Sequence, residues 1–447
     1  MKSFCLYCFI FFMMGFASTF GQEKAVKKSE SGKSAKRAPI DWKSLNRDPK
    51  KILPFTLPDP LVLSSGYRVV NADQWMNQRR PQLLDLFAEY EYGQTPGGKP
   101  KEFRAERISE SKALNGNAIM RQIRLTFSSD PKIPALYVLM FIPANAVGPV
   151  PAFVGLNFKG NHTVCDDPNI RLGTVWVDQF DPECPSRLAR ENERGSMHSR
   201  WEPEFLIENG FALLTAYYQD IDVDANDHFA KGIHLLYKSD PSGKRTDSEW
   251  GKIGSWAWAL SRIMDYIECD KSINPDQVCV IGHSRLGKTA LWAGAQDQRF
   301  AIVISNNSGC CGASLGRHFF GEYPLFLADV RPHWICEKYH RLAKIVEQIP
   351  IDQHELIALI APRPVYIASA TEDYCADPEG EFLGALNADP VYKLLGLPGL
   401  GNITAMPEPD KSVGDTIGYH LRTGEHAITL FDWQQYVRFA KKHFQIK

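Results

Sequence analysis

The segment from Val278 to Ala290 constrains the fold more than any other part of the chain. Its first four residues have the pattern of a short buried strand, and the residues from Leu286 onward have helical spacing. Between them lies Ser284, on a tight turn that would hold its side chain exposed. The usual pattern around such a serine is G-x-S-x-G; here Gly282 fits, Leu286 takes the last glycine position, and Gly287 follows it. We expect a nucleophilic serine, and a serine that only caps the helix is the alternative.

Strand-like and helix-like patterns alternate along most of the chain. Short apolar runs predict strands at 118–127, 135–142, 151–158, 211–217, 277–281, 301–305 and 364–370. Helical spacing predicts helices at 72–92, 253–269, 286–296, 355–360 and 430–444. We expect Pro81 to divide the first helix in two. This order is typical of an α/β fold with a mostly parallel, doubly wound sheet and helices on both faces, a three-layer sandwich. In such sheets, active sites gather at the carboxyl ends of the strands.

The N-terminal residues have the pattern of a targeting segment followed by a tether. Lys2 precedes an apolar run from Phe4 to about Phe16, and small residues follow. We therefore expect residues 1–21 to be a secretory signal peptide, with an uncleaved anchor as the alternative. Residues 22–38 are rich in Lys, Ser and Glu and predict a flexible basic tether. Residues 39–447 are then expected to form a single catalytic domain of a secreted or periplasmic protein.

Charge and cysteine content argue against two classes of protein. Lys plus Arg number 51 and Asp plus Glu number 52, so the formal net charge of −1 argues against a broad basic field for nucleic acid. Eight of the ten cysteines follow the predicted signal peptide, and they include no C-x-x-C pair, so a zinc cluster is not expected. Their even number in an exported chain permits disulfides, and buried free thiols are the other interpretation. The histidines show no metal-ligand spacing, and we expect no metal and no cofactor.

A serine nucleophile needs a base, and the base needs an acid that orients it. In the predicted fold the acid and then the histidine follow the serine in chain order. The strand at 364–370 leads into Glu372 and Asp373, of which Asp373 is the preferred acid and Glu372 the alternate. Two solvated loop carboxylates are the other interpretation. His426, shortly before the last helix, is the preferred base, and His420 is the alternate base.

The residues around the serine resemble a known family. The heptad from Gly282 to Lys288, Gly-His-Ser-Arg-Leu-Gly-Lys, closely resembles the G-C/H-S-R-x-G-K motif of the glucuronoyl esterases, carbohydrate esterase family 15. Further segments resemble the bacterial branch of that family, at 155–163, 307–312, 332–334 and 418–426. Together these segments span about residues 153–433, which is most of the chain after the tether. The resemblance implies an α/β-hydrolase fold.

The resemblance also implies roles for individual residues. Ser284 would attack the ester carbonyl of a glucuronic acid residue. Arg285 would stabilise the developing negative charge through its backbone N–H and its guanidinium. Lys288 would hydrogen-bond sugar hydroxyls, Glu322 would accept hydrogen bonds from them, and Trp334 would stack on a sugar face. The alternatives are a solvated lysine, and side chains that only pack beneath a loop.

One position departs from the family pattern. By the resemblance, fungal members carry the triad acid in a Glu-Ser-Gly segment after the strand that follows the nucleophile helix, where this chain has Asn307. An amide cannot stabilise an imidazolium as a carboxylate does. The acid is therefore expected from Asp373 or Glu372. We expect a large loss of turnover in Asp373→Asn and a mild effect in Asn307→Ala.

By this resemblance we expect a serine esterase that hydrolyses esters of (4-O-methyl-)glucuronic acid, as in lignin–glucuronoxylan linkages, through an acyl-enzyme. His426 would act first as base and then as acid. The expected partner is a glucuronoxylan or lignin–carbohydrate ester, with no nucleic acid, no stable membrane insertion after signal cleavage, and a monomeric state. The alternatives are an acetyl xylan esterase or other carbohydrate or acyl esterase, and a non-catalytic carbohydrate-binding relative on the same fold.

Overall fold

The computed structural model of the chain describes residues 45–176, 186–237 and 244–446. The strands in these residues are Arg104–Ala113 (β1), Ala118–Thr126 (β2), Leu136–Pro143 (β3), Val150–Asn157 (β4), Thr174–Trp176 (β5), Ser186–Leu188 (β6), Ala212–Tyr217 (β7), Ile273–His283 (β8), Ile302–Asn306 (β9), Val365–Ala370 (β10), Ser412–Gly414 (β11) and Ile417–Arg422 (β12). The α-helices are Ala72–Gln74 (α1), Arg80–Tyr90 (α2), His198–Trp201 (α3), Pro203–Glu208 (α4), Tyr218–Ile221 (α5), Lys252–Ile267 (α6), Arg285–Gln296 (α7), Pro324–Val330 (α8), Glu337–Leu342 (α9), Gln353–Ala358 (α10), Pro378–Leu394 (α11) and Leu430–Phe444 (α12). A π-helical turn spans Trp75–Arg79, and short 3-10 turns span Pro49–Lys51, Leu114–Gly116, Asn161–Thr163, Glu191–Glu193, Ile233–Tyr237, Gly316–His318 and Val346–Gln348.

The main sheet has the strand order β1-β2-β3-β7-β4-β8-β9-β10-β12-β11. Neighbours from β7 through β12 in this order pair in parallel. The outer strands pair antiparallel on both sides, and β5 and β6 form a separate hairpin. Parallel strands joined by helices bring their carboxyl ends to one edge of the sheet. The predicted sheet, mostly parallel at its centre, is confirmed.

Side chains of the central strands alternate between two hydrophobic cores, because successive residues of a strand point to opposite faces. Val154 and Val280 belong to one core, together with side chains from α6, α7, α10 and α11. Their neighbours Phe153 and Ile281 belong to the other core, with side chains from α4 and α12. Strands covered on both faces are apolar throughout, which explains the continuous apolar runs in the sequence. The predicted arrangement of helices on both faces is confirmed.

The helix predicted at 72–92 is not divided at Pro81. Helical residues follow one another from Ala72 to Tyr90, through α1, the π-helical turn and α2. Pro81 is the second residue of α2 and follows the π-helical turn almost directly. The N–H of Arg80 bonds to the carbonyl of Trp75, five residues earlier. We attribute the continuity to this wider turn, which lies where a proline ring otherwise meets the preceding turn.

Some elements of the structure are not predicted from the sequence. Strand β1 is exposed along most of its length, because it lies at the edge of the sheet and pairs with β2. Helix α11 is also unpredicted; the side chain of Asp377 caps its first turn by accepting the N–H of Gly380. This helix fixes a carboxylate beneath the functional site, as described below.

The predicted signal peptide and tether lie outside the described residues, as does Cys184. All of the described residues belong to one unit, Trp42–Lys447. Within the described ranges, no helix is long and apolar enough to cross a membrane. The seven cysteines of these ranges are free thiols, and five of them are buried. These seven cysteines therefore agree with the interpretation as free thiols rather than with disulfides.

Candidate active site

Ser284 lies on a strained turn between β8 and α7. Its backbone angles are φ 58° and ψ −132°, a conformation that residues other than glycine rarely adopt. A Cβ on Gly282 would lie 1.8 Å from the carbonyl oxygen of Leu286, and one on Gly287 would lie 2.9 Å from the Cβ of Ser308. Gly287 therefore allows the close approach between α7 and the loop after β9. This explains why the glycine is displaced by one residue from the usual motif.

Asp373 and His426 contact each other at the carboxyl edge of the sheet. Oδ2 of Asp373 lies 2.5 Å from Nδ1 of His426, and Asn307 Nδ2 donates to the same oxygen at 2.7 Å. The Asp373 side chain is 3% exposed and that of His426 is 43% exposed. The alternate acid Glu372 is exposed, and it is absent from the residues that line the cavity described below. The structure thus brings Asp373, rather than Glu372, to the imidazole.

A second imidazole lies beside His426. The ring centroid of His283 is 4.4 Å from that of His426. Nδ1 of His283 donates to Oδ1 of Asn306 over 2.6 Å, because an amide oxygen can only accept. Burial, followed by the nearby His426, holds the pKa of His283 well below its usual range. His283 is therefore a neutral ring against which His426 packs.

The alternate base His420 has a different environment. It lies within β12, completely buried, and its Nε2 is 2.9 Å from Oδ1 of Asp432. Its Nδ1 is 3.0 Å from the hydroxyl of Tyr366. With both ring nitrogens bonded inside the protein, His420 is a structural histidine and does not reach the cavity.

The turn that carries His426 is held by the last residue of β12. Arg422 donates through Nη2 to the carbonyl of Glu425 at 2.7 Å and to that of Ala427 at 3.1 Å. These carbonyls flank His426 on both sides. The orientation of the exposed imidazole is thus set by backbone contacts, which the sequence pattern does not reveal.

The predicted site residues surround one cavity of about 420 Å³. Its lining includes the predicted residues Ser284, Arg285, Lys288, Glu322, Trp334, Asp373 and His426. It also includes residues that were not predicted, namely Asn307, Ser308, Val330, Arg331, Cys375 and Ala376. In the ranges that the structure describes, no group of three or more His, Cys, Asp or Glu side chains is placed to hold a metal. The set has the parts of an acyl-transfer site: a serine that lines the cavity, a carboxylate-bound imidazole and a neighbouring cation.

Arg285 is held against the cavity wall by Asp224. Nη1 of Arg285 donates to Oδ2 of Asp224, a carboxylate that is completely buried. The guanidinium lies over the rings of Trp334 and Phe158, 5.2 and 5.5 Å from their centroids. Burial acts to lower the pKa of Arg285, but Asp224 outweighs it and raises the pKa. The sequence gives no signal for Asp224, because its role depends on a contact across 61 residues.

Lys288 points into the protein rather than into open space. Its Nζ donates to the carbonyls of Ser308 at 2.6 Å and Cys310 at 2.5 Å, and it lies 3.3 Å from Oε2 of Glu322. An ammonium group has three N–H donors, so these protein acceptors can occupy all of them. Lys288 thus holds the Glu322 carboxylate and the loop after β9. This environment differs from the direct contact with sugar hydroxyls that the sequence suggests.

The loop after β9 is also anchored from below by Glu381 of α11. One oxygen of this carboxyl accepts the backbone N–H groups of Ser308 at 2.7 Å and Gly309 at 3.0 Å. The other accepts the hydroxyl of Ser369 at 2.7 Å. Complete burial raises the pKa of Glu381 to about 8. Asn307, which precedes this anchored segment, is thereby kept in reach of Asp373.

Comparisons with known proteins show what the chain as a whole is similar to. A family model described as glucuronyl esterase of fungi matches residues 204–396. The chain is 45% identical over 404 residues to carbohydrate esterase MZ0003 from an unknown prokaryotic organism, which covers 90% of this chain and 92% of that protein.

Two solved structures are similar over nearly all of the described chain. A glucuronoyl esterase from Solibacter usitatus is 40% identical, with 88% of this chain and 100% of that chain covered and a TM-score of 0.85. A promiscuous CE15 esterase from a marine bacterial metagenome is 45% identical, with 90% and 100% covered and a TM-score of 0.83.

Proposed function

Because the chain belongs to the glucuronoyl esterases of carbohydrate esterase family 15, we propose that it hydrolyses esters of (4-O-methyl-)glucuronic acid, such as those joining glucuronoxylan to lignin alcohols. The protein is a carboxylic ester hydrolase with an α/β-hydrolase fold. One observation carries the choice of substrate: the cavity that holds Ser284 also holds Glu322, a carboxylate suited to accept hydrogen bonds from a sugar.

The reaction begins at Ser284. His426 Nε2 takes the hydroxyl proton while Oγ attacks the ester carbonyl. Asp373 on the opposite ring nitrogen stabilises the imidazolium that results, and the contact of 2.5 Å between them supports this assignment. Asn307 holds the carboxylate in place by donating to the same oxygen.

Negative charge develops on the carbonyl oxygen as the tetrahedral intermediate forms. Arg285 supplies its backbone N–H and its guanidinium to that oxygen. The intermediate then releases the alcohol, which takes the proton from His426, and an acyl-enzyme remains on Ser284. Water, activated by the same imidazole, hydrolyses the acyl-enzyme and yields the free carboxylic acid.

The sugar is bound by Glu322 and Trp334, which line the same cavity as the nucleophile. Glu322 accepts hydrogen bonds from its hydroxyls and keeps its orientation through Lys288. Trp334 is 4% exposed and lines the cavity, so the exposed part of the indole meets the sugar. Its Nε1 donates to Asp224 at 2.6 Å, which fixes the ring before substrate arrives.

The location and state of the protein are part of the proposal. Residues 1–21 act as a signal peptide and 22–38 as a tether, so the folded unit works in the periplasm or outside the cell, as a monomer on glucuronoxylan or lignin–carbohydrate esters. N-terminal sequencing of the exported protein and light scattering of the purified protein test these statements. A retained N-terminus or a stable dimer would contradict them.

The activity is tested by hydrolysis of benzyl glucuronate by the wild type and by Ser284→Ala. We expect turnover by the wild type and its loss in the variant, which has the same fold because only one oxygen is removed. Acetylated xylan is assayed in parallel. A preference for acetyl groups over the glucuronate ester would overturn the substrate assignment, and turnover by Ser284→Ala would overturn the assignment of the nucleophile.

A further inference from the structure

Behind the cavity wall lies Asp224, whose carboxylate takes no step in the reaction proposed above. We infer that Asp224 offsets the charge of the Arg285 guanidinium and thereby weakens binding of the anionic acid product, so that the cavity is freed for the next neutral ester. Asp224 is thus a positioning residue with an effect on product release. The inference rests on the proposed function, since it concerns the product of that reaction.

Side chains from several parts of the fold converge on Asp224. Oδ2 accepts hydrogen bonds from Arg285 Nη1 and, at 2.9 Å, from the hydroxyl of Tyr218. Oδ1 lies 2.9 Å from His333 Nε2 and 2.6 Å from Trp334 Nε1. Burial lowers the pKa of His333, so that Arg285 is the cation among these donors near neutral pH. The negative charge of Asp224 is therefore directed at the guanidinium.

The carboxylate keeps its charge although it is buried. Burial acts to raise the pKa of Asp224, but Arg285 and the hydrogen bonds from His333 and Trp334 outweigh it and hold the pKa below its ordinary value. A charged pair of this kind fixes the position of the Arg285 guanidinium at the cavity wall, while its net charge is close to zero.

The reaction changes the charge of the bound ligand. The ester is neutral, and hydrolysis yields a carboxylate and a proton. While the oxyanion exists, His426 carries the proton of Ser284, so the ligand's negative charge is balanced by the imidazolium beside it. Once the acid product has formed and its proton has left, the ligand carries an unbalanced charge. A field that opposes net negative charge therefore weakens product binding more than transition-state binding.

Other charges at the cavity are in part balanced within the protein. Lys288 pairs with Glu322, and His426 contacts Asp373. The Arg331 guanidinium also lines the cavity, over the Trp334 ring at 5.7 Å from its centroid. Without the charge of Asp224, the Arg285 guanidinium would meet a bound carboxylate with no offset from Asp224, and such a pair forms strong charge-assisted hydrogen bonds.

The test compares Asp224→Asn with the wild type, using free glucuronate as inhibitor and methyl glucuronate ester as substrate. We expect the inhibition constant of glucuronate to fall on the order of tenfold, from the loss of one charge near the ligand. The KM of the ester should change by a smaller factor than the inhibition constant, because the ester carries no net charge. An unchanged or higher inhibition constant in Asp224→Asn would overturn the inference.

Asp227→Asn is the matched control. Asp227 lies on the same segment and its side chain is 6% exposed, but its Oδ1 pairs with Lys252 at 2.7 Å and it does not line the cavity. This variant also removes one negative charge, and the inhibition constant of glucuronate should stay within about twofold of the wild type. An equal fall in both variants would mean that net charge, not the contact with Arg285, sets product affinity, and would also overturn the inference.

A second measurement does not depend on the folding of Asp224→Asn. In Ser284→Ala, calorimetry gives the affinities of glucuronate and of its methyl ester for the intact wall. We expect them to agree within about threefold; an anion bound more than about tenfold tighter than the ester contradicts a neutralised guanidinium. If the wild type hydrolyses no glucuronate ester, both the proposed function and this inference fail. Hydrolysis with product affinity unchanged in Asp224→Asn refutes the inference alone.

Discussion

The side-chain amide of Asn307 donates a hydrogen bond of 2.7 Å to Oδ2 of Asp373, the oxygen that also contacts His426. By the resemblance of the sequence, Asn307 stands where fungal members carry the triad acid. The structure shows instead that the amide supports an acid on the next strand. Both residues are buried, so the hydrogen bond is shielded from water.

This contact changes the expectation for Asn307→Ala, which the sequence alone predicts to be mild. Removing a hydrogen bond to a charged group costs about 1.5 kcal/mol, so we expect the kcat to fall about tenfold. The KM should change little, because Asn307 acts through Asp373. Asn307→Asp is a poor substitute, since it places two carboxylates together. Steady-state kinetics check this, and a kcat within twofold of the wild type, on the order of 0.4 kcal/mol, would restore the milder expectation.

Asp373→Asn should lower the kcat by about 10⁴-fold, because an amide in place of the carboxylate leaves the imidazolium unsupported. Glu372→Gln is its neighbouring control and should keep the kcat within about twofold, since that side chain is exposed and does not line the cavity. Circular dichroism verifies that both variants fold. Near-normal turnover in the Asp373 variant, or a large loss in the Glu372 variant, would reverse the assignment of the acid.

Lys288→Met tests whether Lys288 is a positioning residue or a free donor for the sugar. The ammonium is buried among protein acceptors, so its removal should lower the free energy of unfolding by about 3 kcal/mol in the absence of substrate. Lys393→Met is the surface control, because Lys393 pairs with Asp389 while 55% exposed; its effect should stay below about 0.5 kcal/mol. Urea unfolding measures both. A Lys288 variant as stable as the wild type but with a raised KM would favour direct contact with the sugar.

Glu381 predicts a pH dependence of stability. Its pKa is raised to about 8 in the folded protein from an ordinary value of 4.5. Between these values the folded chain binds the proton that the unfolded chain has released, so this contribution to stability is full below 4.5 and is lost as the pH rises to about 8. Glu381→Gln cannot titrate, and its stability should fall less between pH 5 and pH 8, on the order of 1 kcal/mol or more. Glu372→Gln should keep the wild-type slope; parallel curves for wild type and Glu381→Gln in urea unfolding would refute the prediction.

The central architecture could be predicted because its signals are local. Apolar runs such as Val278–Ile281 follow from burial on both faces, and the amphipathic pattern of α12 gives its bounds, Leu430–Phe444, as the structure has them. Strand β1 could not be predicted, since an exposed edge strand has no apolar pattern. The division at Pro81 was wrong because the backbone widens into a π-helical turn just before it.

The site shows the same division between local and distant signals. The strand–turn–helix junction at Ser284 and the loop positions of Asp373 and His426 can be predicted from local sequence patterns. Asp224 and Glu381 are not visible, because each acts through contacts with residues far along the chain. The surroundings of Lys288 likewise depend on carbonyl groups, whose positions no side-chain pattern encodes.

The neighbouring strands β8, β9, β10 and β12 are followed by Ser284, Asn307, Asp373 and the turn of His426, respectively. Adjacent strands lie about 4.8 Å apart, so side chains that follow β9 and β10 can meet each other. Asn307 and Asp373 demonstrate this by meeting at one oxygen atom. The ends of these two strands thus bring an amide and a carboxylate together beside the base. At this edge of the sheet, one strand end supplies the carboxylate that contacts His426, and the next supplies the amide that supports this carboxylate.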